Sequence, residues 1–105
     1  MKETDTISKL IKAAKEKIKD PTECNKLAEK ALTLTDTIPD KKQKAEFLLE
    51  IGILFFEISN CNKSNKIITL ALRVFERLQL KEKIVSCFNY IGLGLVELKK
   101  YEEAK

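Results

Sequence analysis

The sequence predicts an all-α fold, an array of antiparallel helix pairs with about five helices. The chain matches itself at an offset of 40 residues, and 44% of its 105 residues are hydrophobic, with only three glycines and two prolines. A helical pattern that repeats every roughly 20 to 50 residues indicates stacked units, each too small to bury its own apolar face. The aligned positions are Ile11, Ile51 and Ile91; Ile18, Ile58 and Leu98; Cys24, Ser64 and Ala104; and the pairs Gly52 with Gly92, Leu48 with Phe88, and Ala31 with Ala71.

Capping signals separate the first two helices. Helix one is expected over about 4–19, where the chain reaches an Asp-Pro junction. Asp20 before Pro21 is typical of an N-cap followed by a first-turn proline, and Glu23 three residues later completes a capping-box pattern. Helix two is therefore expected to begin here and to end near residue 37.

The same signals recur in the next repeat. Pro39 cannot continue a helix, and Asp40 directly after it is the expected N-cap of a third helix. Asn60 occupies the slot that Asp20 holds 40 residues earlier, so a fourth helix is expected directly after it. The later helices are expected at about 40–58, 61–78 and 82–99. These elements predict one domain, 1–105, with repeats at about 5–40 and 41–80 and an incomplete one at 81–105. We expect it to be the N-terminal part of a longer array.

The small and large residues of these repeats resemble the tetratricopeptide repeat (TPR) pattern of a large residue, a Leu-Gly pair, an aromatic residue and small residues on the second helix. The matching residues are Leu48, Ile51, Gly52, Phe55, Ser64 and Ala71, then Phe88, Ile91, Gly92, Leu95, Tyr101 and Ala104. The period of 40 is longer than the usual repeat of about 34 residues, so the resemblance is to a long-period variant. It implies a TPR-like α-solenoid, in which Gly52 packs against Ser64 and Ala71, and a protein-binding role.

Composition argues against several other classes of function. There is no histidine, the three cysteines have no CxxC spacing, and no glycine-rich loop follows a strand. A catalytic triad, a His-ligated metal, a disulfide framework and a phosphate loop are therefore not expected, and we predict no enzyme and no cofactor. The N-terminus lacks the apolar run of a signal peptide, and no uncharged apolar stretch of about 18 residues occurs. A cytoplasmic protein without a membrane span is expected.

Lysines cluster only on helix one. Lys12, Lys15 and Lys19 fall on one side of a helical wheel, opposite the apolar side that carries Ile7 and Ile11. A nucleic-acid site would combine such a cluster with aromatic or base-reading side chains, and helix one has no aromatic residue. A solvated face is the favoured interpretation, and no nucleic-acid partner is expected.

Helix three carries more apolar residues than the repeat pattern uses. Such a helix is either buried by its neighbours or binds a partner, and the sequence leaves both interpretations open. By the TPR resemblance, the surplus positions and their counterparts in helix five line the concave surface that holds peptides. The candidate partner-binding residues, hereafter the groove surface, are Leu49, Ile53, Phe56, Glu57, Asn89, Leu93, Val96 and Glu97.

The groove surface is apolar, with an acidic edge at Glu57 and Glu97. The TPR clamp that grips chaperone C-termini needs Lys, Asn and Arg, and only Lys9 and Asn89 fit its slots, so a partner helix or peptide with an apolar face is favoured. The predicted function is a protein-protein interaction scaffold. The alternatives are a self-association or docking module of a longer repeat protein, and a peptide-sensing regulatory domain. A homo-oligomer remains possible.

Overall fold

Five α-helices make up the computed structural model, which describes residues 2–104, and no strand occurs within that range. The all-α prediction is confirmed. The third and fifth helices begin 40 residues apart, as do the second and fourth, so the helix starts follow the sequence repeat. The helices are α1 (Lys2–Glu16), α2 (Pro21–Thr35), α3 (Lys41–Glu57), α4 (Cys61–Leu78) and α5 (Lys81–Ala104).

The predicted N-caps hold the starts of α2, α3 and α4. The Asp20 carboxylate accepts a hydrogen bond from the backbone N–H of residue 23 at 3.3 Å. The Asp40 carboxylate accepts two, from residues 42 and 43, at 2.9 and 3.2 Å. The Asn60 side-chain oxygen accepts one from residue 63 at 3.4 Å. Each cap satisfies a backbone donor that has no partner inside the helix, which fixes where the helix begins.

Left-handed residues end α3 and α4. Ser59 and Gln79 have φ angles of 69° and 58°. At both ends the next N–H bonds back five residues: the N–H of Asn60 donates to the carbonyl of Phe55 at 2.8 Å, and that of Leu80 to the carbonyl of Phe75 at 3.0 Å. This 6→1 bond together with a left-handed residue is the Schellman motif, which closes a helix and turns the chain sharply. Lys63 near the start of α4 lies over Phe55 near the end of α3, and Ile68 further along α4 lies against Gly52, so α3 and α4 run antiparallel.

The expected end of α1 was wrong. The helix ends at Glu16 instead of near residue 19. The N–H of Lys17 bonds to the carbonyl three residues back at 3.0 Å, and that of Asp20 to the carbonyl of Lys17 at 2.8 Å, so the chain tightens into a turn. The ring of Pro21 also disfavours a helical conformation at Asp20, whose φ and ψ are −116° and 86°.

The expected end of α5 was also wrong, since the helix continues through residue 99 to Ala104. Lys99 and Lys100 stand where Ser59 and Asn60 end α3 and cap α4 in the repeat before. Lysine favours the helix interior and supplies neither a left-handed turn nor a cap, so nothing breaks α5 there. The side chains of Tyr101 and Ala104, which complete the repeat pattern, lie outside the described residues.

The buried side chains of all five helices form one continuous core. Each helix packs on the next one along the chain, most extensively α3 on α4, and α3 also contacts α1 and α5. The molecule measures 46 × 33 × 18 Å along its principal axes. The α3–α4 pair is close because Gly52 lies under Ile68, and Ser64 and Ala71 on either side of Ile68 are fully buried. The nearest partner of Gly52 is thus Ile68 and not the two small residues.

Candidate groove on α3 and α5

The groove-surface residues lie on two helices that contact each other, and the α3 half is mostly covered. Leu49 is buried, with 6% of its surface exposed, while Ile53 and Phe56 are half-buried. Ile53 packs against the core cluster. The α3 half therefore offers little free apolar surface of its own.

The α5 half is open. Leu93 and Val96 are each 52% exposed, and Asn89 is exposed beside them. They share a surface depression of about 660 Å³ with Gly92 and with two aromatic residues. The full lining is Phe88, Asn89, Tyr90, Gly92, Leu93 and Val96. Leucine and valine provide contact area in this depression, and the Asn89 amide provides a donor and an acceptor for a partner's polar group.

An aromatic pair joins the two halves. The rings of Phe56 and Tyr90 meet edge to face, with their centroids 5.6 Å apart and their planes at 76°. This arrangement is favourable for aromatic quadrupoles and fixes α5 against the end of α3. The sequence did not place Tyr90 in the groove surface. Its position on the same helix as Leu93, three residues away, is a signal that could have included it.

The two acids predicted to flank the groove differ in their surroundings. Glu57 is exposed at the end of α3, whereas Glu97 is half-buried on α5. The Glu97 carboxylate accepts a hydrogen bond from the Nζ of Lys100 at 3.5 Å. Burial raises the pKa of the Cys61 thiol, and the negative charge of Glu97 raises it further. The charge of Glu97 therefore affects Cys61 of α4, and Glu57 is the more exposed of the two acids.

The lysine cluster predicted on helix one lies outside the groove surface. On α1, Lys12 and Lys15 are exposed, and the Nζ of Lys15 forms an ion pair with Glu50 of α3 at 3.6 Å. Lys19 lies in the turn after α1, so the expectation that all three lysines share one helix face was wrong, because the helix ends at Glu16.

The cysteines are unpaired and buried. Burial raises the pKa of the Cys24 thiol. The pKa of the Cys87 thiol rises to about 11, first through burial and then through the nearby charge of Glu76, against a smaller opposite effect of Lys83. Thiols with raised pKa values are weak nucleophiles near neutral pH.

Within residues 2–104, no group of three or more potential metal-ligating side chains comes together. A separate survey of the described helices finds none that is both long and apolar enough to cross a membrane. No protein-family model matches the chain, and no curated protein and no solved structure is measurably similar to it.

Proposed function

We propose that this chain is a TPR-like helix-pair array whose role is to bind a partner protein, not to catalyse a reaction. In this proposal the groove surface takes a partner helix or peptide. The three unpaired, buried thiols are typical of a reducing compartment, which favours the cytoplasm. The repeat pattern of the sequence and the matching helix starts support the array.

The distribution of exposed apolar side chains carries the binding proposal. Five of the seven large apolar side chains that are exposed among the described residues lie on α5. Two of the five, Leu93 and Val96, belong to the groove surface, and Phe88 lines the same depression. Scattered apolar residues are normal on a surface, but a cluster of them commonly marks an interaction site. The seven are Leu70, Leu78, Val85, Phe88, Leu93, Leu95 and Val96.

The shape of the groove surface indicates how a partner would bind. Leu93 and Val96 are the accessible apolar contacts, and the half-buried Phe56 packs against Tyr90, which lines the same depression as they do. A partner side chain that reaches Tyr90 would therefore contact the aromatic pair that joins the two helices. The exposed carboxylate of Glu57 favours a partner with a basic edge next to its apolar face.

The test is a selection from a displayed library of short amphipathic peptides, with the whole chain as bait. We expect the enriched peptides to share apolar residues at a spacing of three or four and to bind the parent chain. Leu93→Glu should weaken their binding more than about tenfold, because a charge would be buried against an apolar contact. A loss of helical circular dichroism in this variant would instead assign Leu93 to the core.

Leu70→Glu is the matched control. Leu70 on α4 is 51% exposed, nearly the same as Leu93, and does not line the depression on α5. The two variants introduce the same charge at the same degree of exposure. Selected peptides that lose affinity equally in both variants would bind a general apolar surface, and the groove proposal would be wrong.

A further inference from the structure

A second apolar face of α5 lies beside the groove surface. Val85, Phe88 and Leu95 are exposed to 57%, 55% and 57%, and Gly92 lies among them. At 100° per residue, these four positions fall on one side of the helix. We call them the outer face of α5. It adjoins the groove depression along Phe88 and Gly92, whereas Val85 and Leu95 lie outside that depression.

The repeat shows what covers a face of this kind. Forty residues earlier, α3 carries Ala45, Leu48, Gly52 and Phe55 at the matching positions. All four are buried, and α3 packs on α4 more extensively than on any other helix. The same pattern is therefore covered by an antiparallel helix in one repeat and open in the next.

The two matched glycines make the comparison specific. A Cβ placed at Gly52 would overlap Cγ1 of Ile68 on α4, so glycine is what allows α4 to lie this close. A Cβ placed at Gly92 would meet nothing within 4 Å. A glycine inside an exposed helix destabilises it by about 0.5–1 kcal/mol relative to alanine and gives no packing advantage in return. Gly92 fits a close helix contact that the described chain does not make.

We propose that the outer face of α5 docks one amphipathic helix with the chemistry of α4, running antiparallel to α5. In α4, the branched Ile68 lies over the glycine, and the small residues Ser64 and Ala71 lie four before and three after it. The docked helix has the same spacing, with a branched aliphatic residue over Gly92 between two small residues. This site is additional to the groove surface, and either can fail alone.

The chain's own α4 supplies the probe. A synthetic peptide of residues 60–79, stapled on its solvent side to keep it helical, carries the required spacing and its natural cap. We expect saturable binding to the full chain, measured by fluorescence anisotropy of the labelled peptide. The large aromatic residue is second on α3 (Leu48, then Phe55) but first on α5 (Phe88, then Leu95), so the α4 peptide is a near match and not a perfect one. The readout is therefore the ratio of the peptide's affinities for the parent and for each variant.

Gly92→Leu is the decisive variant. Gly92 is exposed and a Cβ there meets nothing within 4 Å, so we expect the variant to fold, but its leucine fills the space that Ile68 of the peptide needs. Binding should fall at least about tenfold. Lys26→Leu adds the same side chain at an exposed position of α2, which does not contact α5, and should bind the peptide like the parent.

Three results would overturn the proposal. The first is that the stapled peptide does not bind. The second is that it binds the parent and Gly92→Leu equally, which would mean that it binds somewhere other than the outer face, such as in place of the resident α4. The third is that the parent forms dimers that Gly92→Leu abolishes while the peptide does not compete, which would assign the outer face to a second copy of the chain.

Discussion

Gly52 of α3 lies directly under Ile68 of α4, so close that even a methyl group at residue 52 would overlap the Ile68 side chain. The matching glycine of the next repeat, Gly92, has open space at the same point. One sequence pattern thus has two different environments in the same molecule.

These environments predict opposite effects of one substitution. Gly52→Ala should destabilise the chain by about 1–3 kcal/mol, because Ile68 is buried and cannot move aside without disturbing the core. Gly92→Ala should stabilise it by about 0.5–1 kcal/mol, because alanine is the better helix former and nothing obstructs it. Urea unfolding monitored by circular dichroism measures both. Equal effects of the two substitutions would contradict the α3–α4 packing described above.

The contact between Phe56 and Tyr90 should be measurable as a coupling energy. In a double-mutant cycle with Phe56→Leu and Tyr90→Leu, we expect a coupling of about 0.5–1.5 kcal/mol, because each single change removes the same edge-to-face contact. Free energies of unfolding of the four proteins give the value. A coupling of zero would mean that α5 does not dock on α3 through these rings.

The cap of α3 should contribute more than a surface ion pair. Asp40→Ala removes the acceptor of two backbone hydrogen bonds and should destabilise the chain by about 1 kcal/mol. Asp36→Ala removes an exposed carboxylate that only pairs with Lys44 at 3.4 Å, and should change stability by less than about 0.5 kcal/mol. Thermal unfolding of the two variants compares them, and the reverse order would exclude the cap as the start signal of α3.

The buried thiols should make the chain less stable at alkaline pH. An unfolded cysteine has a pKa of 9.0, whereas Cys87 in the fold has a pKa of about 11. Between these values the unfolded chain releases its proton and the folded chain keeps it. The stabilising contribution of the protonated Cys87 thiol is therefore fully present below pH 9, and it is lost as the pH rises from 9 towards 11. Cys87→Ala should show a smaller decrease in Tm over the same range than the parent. An identical pH dependence would exclude Cys87 as a cause.

Local signals in the sequence were sufficient for most of the helix bounds. Asp20, Asp40 and Asn60 are caps whose short-range hydrogen bonds depend only on neighbouring residues, so they could be read without the fold. The ends of α1 and α5 were missed. Helix α1 ends early because Lys17 belongs to a tight turn before Pro21. Helix α5 continues through Lys99, whereas the 40-residue repeat predicts that it ends there.

Exposure could not be predicted in the same way, because it depends on which helix lies alongside. The repeat gives Leu48 and Phe88 the same position, yet Leu48 is 6% exposed and Phe88 is 55% exposed. Leu49 and Leu93 were both placed in the groove surface, but Leu49 lies in the core and only Leu93 is open. The sequence therefore identifies the helix faces, and the packing of neighbouring helices decides which of them are free.

We propose that the apolar residues of α5 bind a partner and are not part of the core. Isothermal titration calorimetry of a library-selected peptide against the parent, Leu93→Glu and Leu70→Glu tests this proposal. We expect all three proteins to keep their helical content, Leu70→Glu to bind like the parent, and Leu93→Glu to bind more than about tenfold more weakly. If a folded Leu93→Glu variant binds the peptide with the affinity of the parent, Leu93 is not part of a binding site.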